Sequence, residues 1–160
     1  GLTDGPPVVS GGSSPSLAAS DAGVLTEVRP GVYVFGDAQQ WELGACTPAE
    51  IALTCHATVV SARPGRFVLD AGSKVLGADR APWASGFGRL LDDPAARIVL
   101  LSEHHAVVET PGPTPPLGAV VRVVPNHACN AVNLADALYA TRPETDAFTC
   151  WPVAARGLNS

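Results

Sequence analysis

The 160-residue sequence contains no methionine and a single lysine, Lys74, and charged residues occupy only 16% of its positions. Its formal net charge is −5, whereas a nucleic-acid surface needs clustered lysine and arginine. No apolar run approaches the roughly 18 to 20 residues that would cross a bilayer, and no secretory signal pattern opens the chain. We therefore expect a cytoplasmic protein that binds neither nucleic acid nor a membrane.

Cysteine is also scarce, and the four residues are Cys46, Cys55, Cys129 and Cys150. Their spacing matches no small disulfide-rich scaffold, and a chain that is 46% hydrophobic can form a core without cross-links. We therefore expect reduced thiols. Cys55 and Cys150 lie within predicted strands, where cysteine packs as a small hydrophobic residue, and neither is assigned to chemistry.

Glycine and proline are abundant, with 16 and 15 residues, and short β-branched runs recur between them. This pattern predicts a mainly β fold with short helices. The predicted strands are Pro7–Ser10, an alternating stretch within Thr26–Asp37, Ile51–Arg63, Phe67–Asp70, Ala96–Leu101, Ala119–Val124 and Asp146–Val153. The turn Arg63-Pro-Gly-Arg66 predicts a hairpin, while Ala131–Tyr139 is ambiguous between helix and strand.

The stretch Pro125-Asn-His-Ala-Cys129 carries the strongest candidate for chemistry. It follows a β-branched run, so we expect the backbone to stay extended and to point the side chains of His127 and Cys129 the same way. An imidazole nitrogen and a thiolate suit zinc, and two protein ligands leave coordination positions free for water or substrate. This pattern predicts a working metal site, and a buried thiol beside a packed histidine is the alternative.

Gly11, Gly12, Ser13 and Ser14 form a second candidate site, directly after the first predicted strand. Two glycines let the backbone approach an anion closely, hydroxyls and free amides donate hydrogen bonds, and Pro15 suits a helix start. The pattern predicts a phosphate-binding loop. A flexible linker is the alternative, because glycine and serine runs often serve as linkers.

Ser102-Glu-His-His105 follows another predicted strand, and polar groups at a strand end often line sites. Adjacent histidines of a strand face opposite sides, so at most one can reach a shared metal. We favour His105, with Glu103 as a second residue that lines the site. His56 is interpreted as a packed or exposed strand histidine. Lys74 is interpreted as a surface lysine, because nothing around it forms the dry pocket of a Schiff-base lysine.

Five motifs, in this order, resemble the D-serine dehydratase / D-threonine aldolase family, whose members are relatives of alanine racemase. They are Arg29-Pro-Gly-Val-Tyr-Val-Phe-Gly-Asp37, Leu69-Asp-Ala-Gly-Ser-Lys74, Ser102-Glu-His-His105, Val124-Pro-Asn-His-Ala-Cys129 and Trp151-Pro-Val-Ala-Ala-Arg-Gly157. The resemblance covers essentially the whole chain but only the C-terminal part of a family member. It implies a β-rich domain of barrel or sandwich type at residues 27–160. Residues 1–26 would be the last piece of a (β/α)8 barrel that binds pyridoxal phosphate on a lysine outside this chain.

The resemblance also assigns site residues. The loop of residues 11–14 falls on the part of the barrel that cradles the cofactor phosphate, with Ser14 in place of an expected threonine. His127 and Cys129 fall on the family's metal pair, which is His-x-Cys in the dehydratase-like branch and His-x-Asp in the aldolase branch. The cysteine therefore favours zinc, with manganese as the alternative, and it favours the dehydratase side.

The implied function is β-elimination of a D-serine-like 3-hydroxy D-amino acid to a keto acid and ammonia. Pyridoxal phosphate serves as the electron sink, a barrel lysine removes the α-proton, and zinc assists departure of the β-hydroxyl. A D-threonine aldolase type of cleavage is one alternative, and a free-standing metal-binding or interaction domain is another. The usual Ser-Glu-Glu-His-Gly motif is changed here at His104 and Ala106, which bears on substrate preference. The full-length protein is expected to be a homodimer, and this chain alone is expected to be inactive.

Overall fold

A computed structural model describes residues 5–20, 23–142 and 145–158. Within these ranges the chain forms ten strands, three short α-helices and three 3-10 segments. The strands are β1 (Ser10–Gly11), β2 (Glu27–Val28), β3 (Cys55–Arg63), β4 (Arg66–Leu69), β5 (Gly88–Leu90), β6 (Arg97–Leu101), β7 (Ala106–Glu109), β8 (Val120–Pro125), β9 (Ala137–Arg142) and β10 (Thr145–Pro152). The helices are α1 (Ala38–Glu42), α2 (Ser73–Leu76) and α3 (Ala128–Leu134), and the 3-10 segments are Ser14–Ala19, Val32–Val34 and Pro48–Glu50.

Six strands form one antiparallel sheet in the order β5-β8-β3-β4-β7-β6. The predicted hairpin is confirmed, because Arg63 pairs with Arg66 and Gly65 turns the chain with a φ of 74°. The two edge strands approach each other, since the amide of Phe87, beside β5, donates to the carbonyl of Ile98 in β6 at 2.8 Å. The sheet therefore curls into a nearly closed barrel, and the predicted mainly β fold is confirmed.

The barrel is filled by side chains that alternate along its strands. The core cluster includes Phe67, Leu69, Ile98 and Val108, each of them at most 1% exposed, and Leu76 of α2 joins it. Removing one of the larger side chains from such a cluster costs about 2 to 5 kcal/mol. This core fixes the strand ends and loops that carry the candidate site.

Two predicted strands near the start of the chain are wrong. β1 begins only at Ser10 and pairs with β2 over two residues, and the Val8 and Val9 side chains before it are 73% and 42% exposed. Too little strand is paired there to bury the two valines. Residues 32–34 form a 3-10 segment instead of an alternating strand, because the amide of Phe35 donates to the carbonyl of Val32 three residues earlier at 3.0 Å.

β9 and β10 pair with each other in a separate two-stranded sheet. Tyr139 and Phe148 meet edge to face on this hairpin, with ring centroids 6.5 Å apart. Residues of α2, α3 and the start of β3 line an apolar groove of about 590 Å³ beside the hairpin. Cys55 lies in the wall of the groove, where burial and the charge of Asp70 raise the pKa of its thiol to about 11. All four cysteines are free thiols.

The predicted division between residues 26 and 27 stays a prediction, and residues 1–4 and 21–22 of the first unit lie outside the described residues. β2 begins at Glu27, whose carboxylate accepts a hydrogen bond from the Ser10 hydroxyl across that boundary. The ambiguous stretch 131–139 contains the end of α3 and the start of β9. None of the described helices is long and apolar enough to span a membrane.

Candidate functional site

His127 and Cys129 lie at the corner between β8 and α3. β8 ends at Pro125, His127 immediately precedes α3, and Cys129 is in the first turn of that helix. The His127 side chain is 38% exposed and Cys129 is also exposed. Neither side chain is sealed in the core, which is what a metal with open coordination positions requires.

The expectation of an extended backbone through Cys129 is wrong. The chain enters α3 directly after His127, so the alternation of side chains along a strand does not set the directions of the two ligands. The β-branched run that predicted the strand stops at Val124, and the residues that follow have little strand preference. The helix begins here because a remote residue caps it.

That residue is Asp37, which holds the starts of both α1 and α3. Its Oδ1 accepts a hydrogen bond from the amide of Gln40 at 2.8 Å, and its Oδ2 accepts one from the amide of Ala128 at 3.2 Å. Asp37 is only 1% exposed. Burial raises the pKa of its carboxyl, and these amides together with nearby His127 oppose the rise. α3 thus receives its cap from a side chain 91 residues earlier in the sequence.

A second carboxylate contacts the imidazole itself. Asp79 Oδ2 lies 2.7 Å from His127 Nδ1. Because a carboxylate only accepts hydrogen bonds, Nδ1 is the donor, and Nε2 is the nitrogen left to bind a metal. Gly77 makes this approach possible, since its φ of 77° ends α2 and a Cβ there would lie 3.1 Å from Asp79 Oδ1.

Asn126 ties the Asp79 loop to the end of β8. The Asn126 side-chain amide donates to the carbonyl of Gly86 at 2.8 Å and to the carbonyl of Asp79 at 3.2 Å. Asn126 is 5% exposed, so these hydrogen bonds satisfy a buried polar group. Two successive residues of the corner therefore hold Asp79. Asn126 binds the backbone carbonyl of Asp79, and His127 binds its carboxylate.

His127 and Cys129 are the two residues of the corner that could hold a metal. Among the described residues, no three His, Cys, Asp or Glu side chains come together as a metal cluster. His105, predicted as a candidate to reach a shared metal, therefore does not form such a cluster with His127 and Cys129. An ion bound by an imidazole nitrogen and a thiolate keeps its other positions for water or substrate, and this donor set suits zinc.

The loop that carries Glu103 and His105 joins β6 to β7 and packs on the start of α2. The amides of Ser73 and Lys74 donate to carbonyls of this loop at 2.8 and 3.1 Å. Gly72 permits the contact, because a Cβ at its position would overlap backbone atoms of the loop. Lys74 Nζ pairs with Glu103 Oε2 at 2.7 Å, and both side chains are more than half exposed, which is the surface position predicted for this lysine.

The glycine-serine loop connects β1 to the first 3-10 segment, and Gly11 is the second residue of β1. Gly12 has a φ of 80°, a conformation that favours glycine. The Ser13 amide donates to Ser16 Oγ at 2.9 Å, which turns the chain at the start of the segment. The Ser14 hydroxyl is buried and has no hydrogen-bond partner among the described residues. An unsatisfied hydroxyl beside a left-handed glycine fits an anion such as a phosphate.

Two carboxylates of the site, Asp37 and Asp79, are not predicted from the sequence. Each follows a glycine closely, in Gly36-Asp37 and Gly77-Ala-Asp79. This nearby glycine is the local signal that the sequence offers for either aspartate. The signal marks a turn and names no partner. Their contacts with the corner span 91 and 48 residues, so only the fold brings them there.

Comparison with known proteins places this chain in a family. A family model described as "Putative serine dehydratase domain" matches residues 52–141, which is more than half of the chain. The matched span runs from just before β3 into β9 and contains the barrel, Asp79 and the corner with His127 and Cys129.

Three relatives are informative. An uncharacterised protein of Mycobacterium tuberculosis is 56% identical over 133 residues, in a match that covers 79% of this chain and 99% of that protein. The D-threo-3-hydroxyaspartate dehydratase of a Delftia strain is 34% identical over 143 residues, covering 77% of this chain and 38% of the dehydratase. The D-threonine aldolase of an Arthrobacter strain is 33% identical over 159 residues, covering 95% of this chain and 40% of the aldolase.

The solved structure of the Delftia dehydratase has the same fold, with a TM-score of 0.76 and 31% identity over 91% of this chain and 44% of that chain. Two variants of the dehydratase have also been solved. One replaces a histidine by alanine, and the other replaces a cysteine two positions later by alanine and is in the metal-free form. An alanine racemase-like protein of Idiomarina loihiensis, 24% identical with a TM-score of 0.77, shares the fold.

This chain spans nearly all of the mycobacterial protein but only about two-fifths of the dehydratase and the aldolase. The family model covers the barrel and the corner of this chain. The chain therefore belongs to the serine dehydratase domain family and corresponds to the C-terminal domain of D-amino acid dehydratases and aldolases, which confirms the resemblance seen in its motifs.

Proposed function

We propose that this chain is the C-terminal, metal-binding part of a lyase that uses pyridoxal phosphate and zinc. Its reaction would be β-elimination of a D-serine-like 3-hydroxy D-amino acid to a keto acid and ammonia. The observation that carries the proposal is the corner between β8 and α3. There Asp79 contacts His127 Nδ1, the Nε2 atom has no hydrogen-bond partner among the described residues, and an exposed thiol, Cys129, follows two residues later. The metal-free cysteine variant of the Delftia dehydratase supports a cysteine ligand at this spacing.

Each residue of the corner would have a separate role in binding the ion. When bound, zinc would supply Lewis acidity at the β-hydroxyl of the substrate. His127 would contribute Nε2 and Cys129 a thiolate, and the chain between them is fixed because the Ala128 amide donates to Asp37. Water or substrate would take the remaining positions, since the corner offers two ligands.

The loop of residues 11–14 would hold the phosphate of pyridoxal phosphate, a cofactor that supplies an electron sink for bonds broken at the α-carbon. The buried Ser14 hydroxyl, unpaired among the described residues, and the left-handed Gly12 fit a phosphate. Lys74 is paired with Glu103 at the surface, so the Schiff-base lysine would lie outside this chain. The full-length protein would be a homodimer that acts on a D-amino acid.

Zinc binding by the purified chain tests this proposal. We expect one zinc ion per chain, measured by titration against a competing chelator. His127→Ala and Cys129→Ala should each weaken zinc binding by about 100-fold or more, because each removes one of two protein ligands. Cys150→Ala is the matched control, since it removes another exposed thiol from β10. Equal zinc affinity in wild type and Cys129→Ala would contradict the proposed site.

Aldol cleavage of a 3-hydroxy D-amino acid is the second candidate reaction. The 33% identity with the Arthrobacter D-threonine aldolase over 95% of this chain favours it. The presence of Cys129 in the position where the aldolase branch has aspartate favours elimination. An enzyme in which this domain is joined to a barrel that carries the lysine would distinguish the two reactions. Release of ammonia from D-serine indicates elimination, and release of glycine from D-threonine indicates cleavage.

A free-standing metal-binding or interaction domain is the third candidate. The mycobacterial relative supports it, since 99% of that protein is matched by this domain. A free-standing metal-binding domain would hold zinc at the corner as the lyase would, so zinc binding alone does not separate these two, whereas a pure interaction domain would need no zinc. A coding sequence that continues upstream to a pyridoxal lysine would establish the lyase, and a coding sequence with no barrel upstream of this domain would establish the free-standing domain.

A further inference from the structure

We propose that Asp79 is the positioning residue of the zinc site. Acting through His127 Nδ1, it would fix the imidazole ring in the tautomer that leaves Nε2 unprotonated for the ion. This inference rests on the proposed zinc site and extends it to a residue that acts through a ligand instead of binding the metal.

The contact has the geometry that this role requires. Asp79 Oδ2 and His127 Nδ1 are 2.7 Å apart, which is a short charge-assisted hydrogen bond. A neutral histidine can carry its proton on either ring nitrogen, and the hydrogen bond of one nitrogen decides which form is present. With the carboxylate accepting from Nδ1, the proton stays on Nδ1 and Nε2 presents a lone pair.

The carboxylate of Asp79 is committed to this histidine. Among the described residues, Asp79 pairs with no lysine or arginine, and its Oδ1 is buried without a hydrogen-bond partner. The two side chains are also only 33% and 38% exposed, so water screens their interaction less than at an open surface. The charge of Asp79 therefore acts mainly on the imidazole.

The backbone of Asp79 anchors its loop, and this contact is separate from the contact that its carboxylate makes with His127. Its backbone carbonyl accepts from the Asn126 side chain, and Gly77 sets the turn that leads to it. These contacts anchor the loop and do not involve the carboxylate. Asp79→Asn keeps the shape and the backbone anchors, so it changes the hydrogen bond to His127 and leaves the structural contacts in place.

Zinc titration of the intact chain tests the role of the carboxylate. We expect Asp79→Asn to weaken zinc binding by about 10- to 100-fold, the effect typical of losing a carboxylate behind a metal-bound histidine. Asp92→Asn is the matched control, because Asp92 is an exposed carboxylate paired with Arg122 on β8, and its zinc affinity should equal that of wild type. Unchanged zinc affinity in Asp79→Asn would overturn the inference while leaving the proposed zinc site intact.

Nitrogen NMR of the imidazole in the zinc-free protein gives a second, metal-independent readout. We expect wild-type His127 to carry its proton on Nδ1, and the Asn variant to shift toward the form protonated on Nε2, because an amide can donate to Nδ1. A purely structural role would leave the tautomer unchanged. The wild-type spectrum decides the matter even if the variant does not fold, since a proton on Nε2 in wild type would overturn the inference. A wild type that binds no zinc would overturn the zinc site and this inference together.

Discussion

At the scale of single residues, carboxylates hold the helices and loops around the corner in place. Glu42, at the end of α1, accepts hydrogen bonds from the backbone and the hydroxyl of Ser85 and pairs with Arg89 at 3.1 Å. Arg89 also lies over the ring of Trp41, 4.8 Å from its centroid. The end of α1 therefore contacts β5, and the start of α1 contacts α3 through Asp37.

Glu42→Gln tests the contact between α1 and β5 through its pH dependence. Partial burial acts to raise the pKa of Glu42, but the hydrogen bonds from Ser85 and the charge of Arg89 outweigh it and hold the pKa below 4.5. A lowered folded-state pKa stabilises the fold above pH 4.5, and this stabilisation is lost as the pH falls through the lowered value. We expect the variant to lose about 1 to 2 kcal/mol of unfolding free energy at neutral pH, and less in acid.

Urea unfolding at a series of pH values measures this difference. Glu109→Gln is the control, since Glu109 forms an exposed pair with Arg66 and its loss should cost less than about 1 kcal/mol. A loss in Glu42→Gln that stayed constant from neutral to acid pH would show that the charge of Glu42 is not what stabilises the fold.

At the scale of elements, local sequence signals were sufficient to predict the β3–β4 hairpin but not to predict helix α3. β3 and β4 could be predicted because Pro64-Gly65 encodes the turn within the sequence itself. α3 could not be predicted because its cap, Asp37, lies 91 residues away. For the same reason His127 and Cys129 could be proposed as ligands from their spacing, whereas Asp79, 48 residues from His127, could not be assigned to the site.

The docking of the β6–β7 loop on α2 depends on a glycine. A Cβ at position 72 would overlap the carbonyl oxygens of Ser102 and Glu103 and the amide nitrogen of His105, all of them backbone atoms that cannot rotate away. We expect Gly72→Ala to lower the unfolding free energy by about 1 to 3 kcal/mol, the usual cost of forcing atoms into a packed site. Thermal or urea unfolding measures the loss.

Gly31→Ala is the control for this substitution. Nothing lies within 4 Å of a Cβ at Gly31, and its φ of −102° is open to alanine. The control should therefore be neutral or slightly stabilising, because alanine restricts the unfolded chain. If the two variants were equally stable, the close packing of the loop against α2 would not be important for the fold.

At the scale of the whole molecule, this domain leaves much apolar surface in contact with solvent. Val8, Tyr139, Phe148 and Trp151 are all more than half exposed. The dehydratase and the aldolase are about two and a half times as long as the part matched here. Exposed apolar surface on this scale is typical of an interface with a further domain or subunit.

The isolated chain should therefore bind zinc but lack lyase activity. The proposed Schiff-base lysine lies outside it, so we expect no absorbance band of lysine-bound cofactor when pyridoxal phosphate is added, and no ammonia from D-serine above the level of a buffer control. Addition of pyridoxal phosphate to the chain and to a Lys74→Ala variant provides the measurement. A band that appears with the chain and disappears with the variant would assign the cofactor lysine to Lys74.

Because the thiol of Cys129 is exposed, we expect the corner to be sensitive to oxidation by air. A thiol that can reach an ion from bulk solvent can equally meet the same thiol of a second molecule, and oxidation would then join the two chains by a disulfide. Each such disulfide would remove the Cys129 thiol from both molecules as a metal ligand. Bound zinc would protect the Cys129 sulfur from oxidation. Zinc and a reductant would therefore each keep this sulfur out of a disulfide.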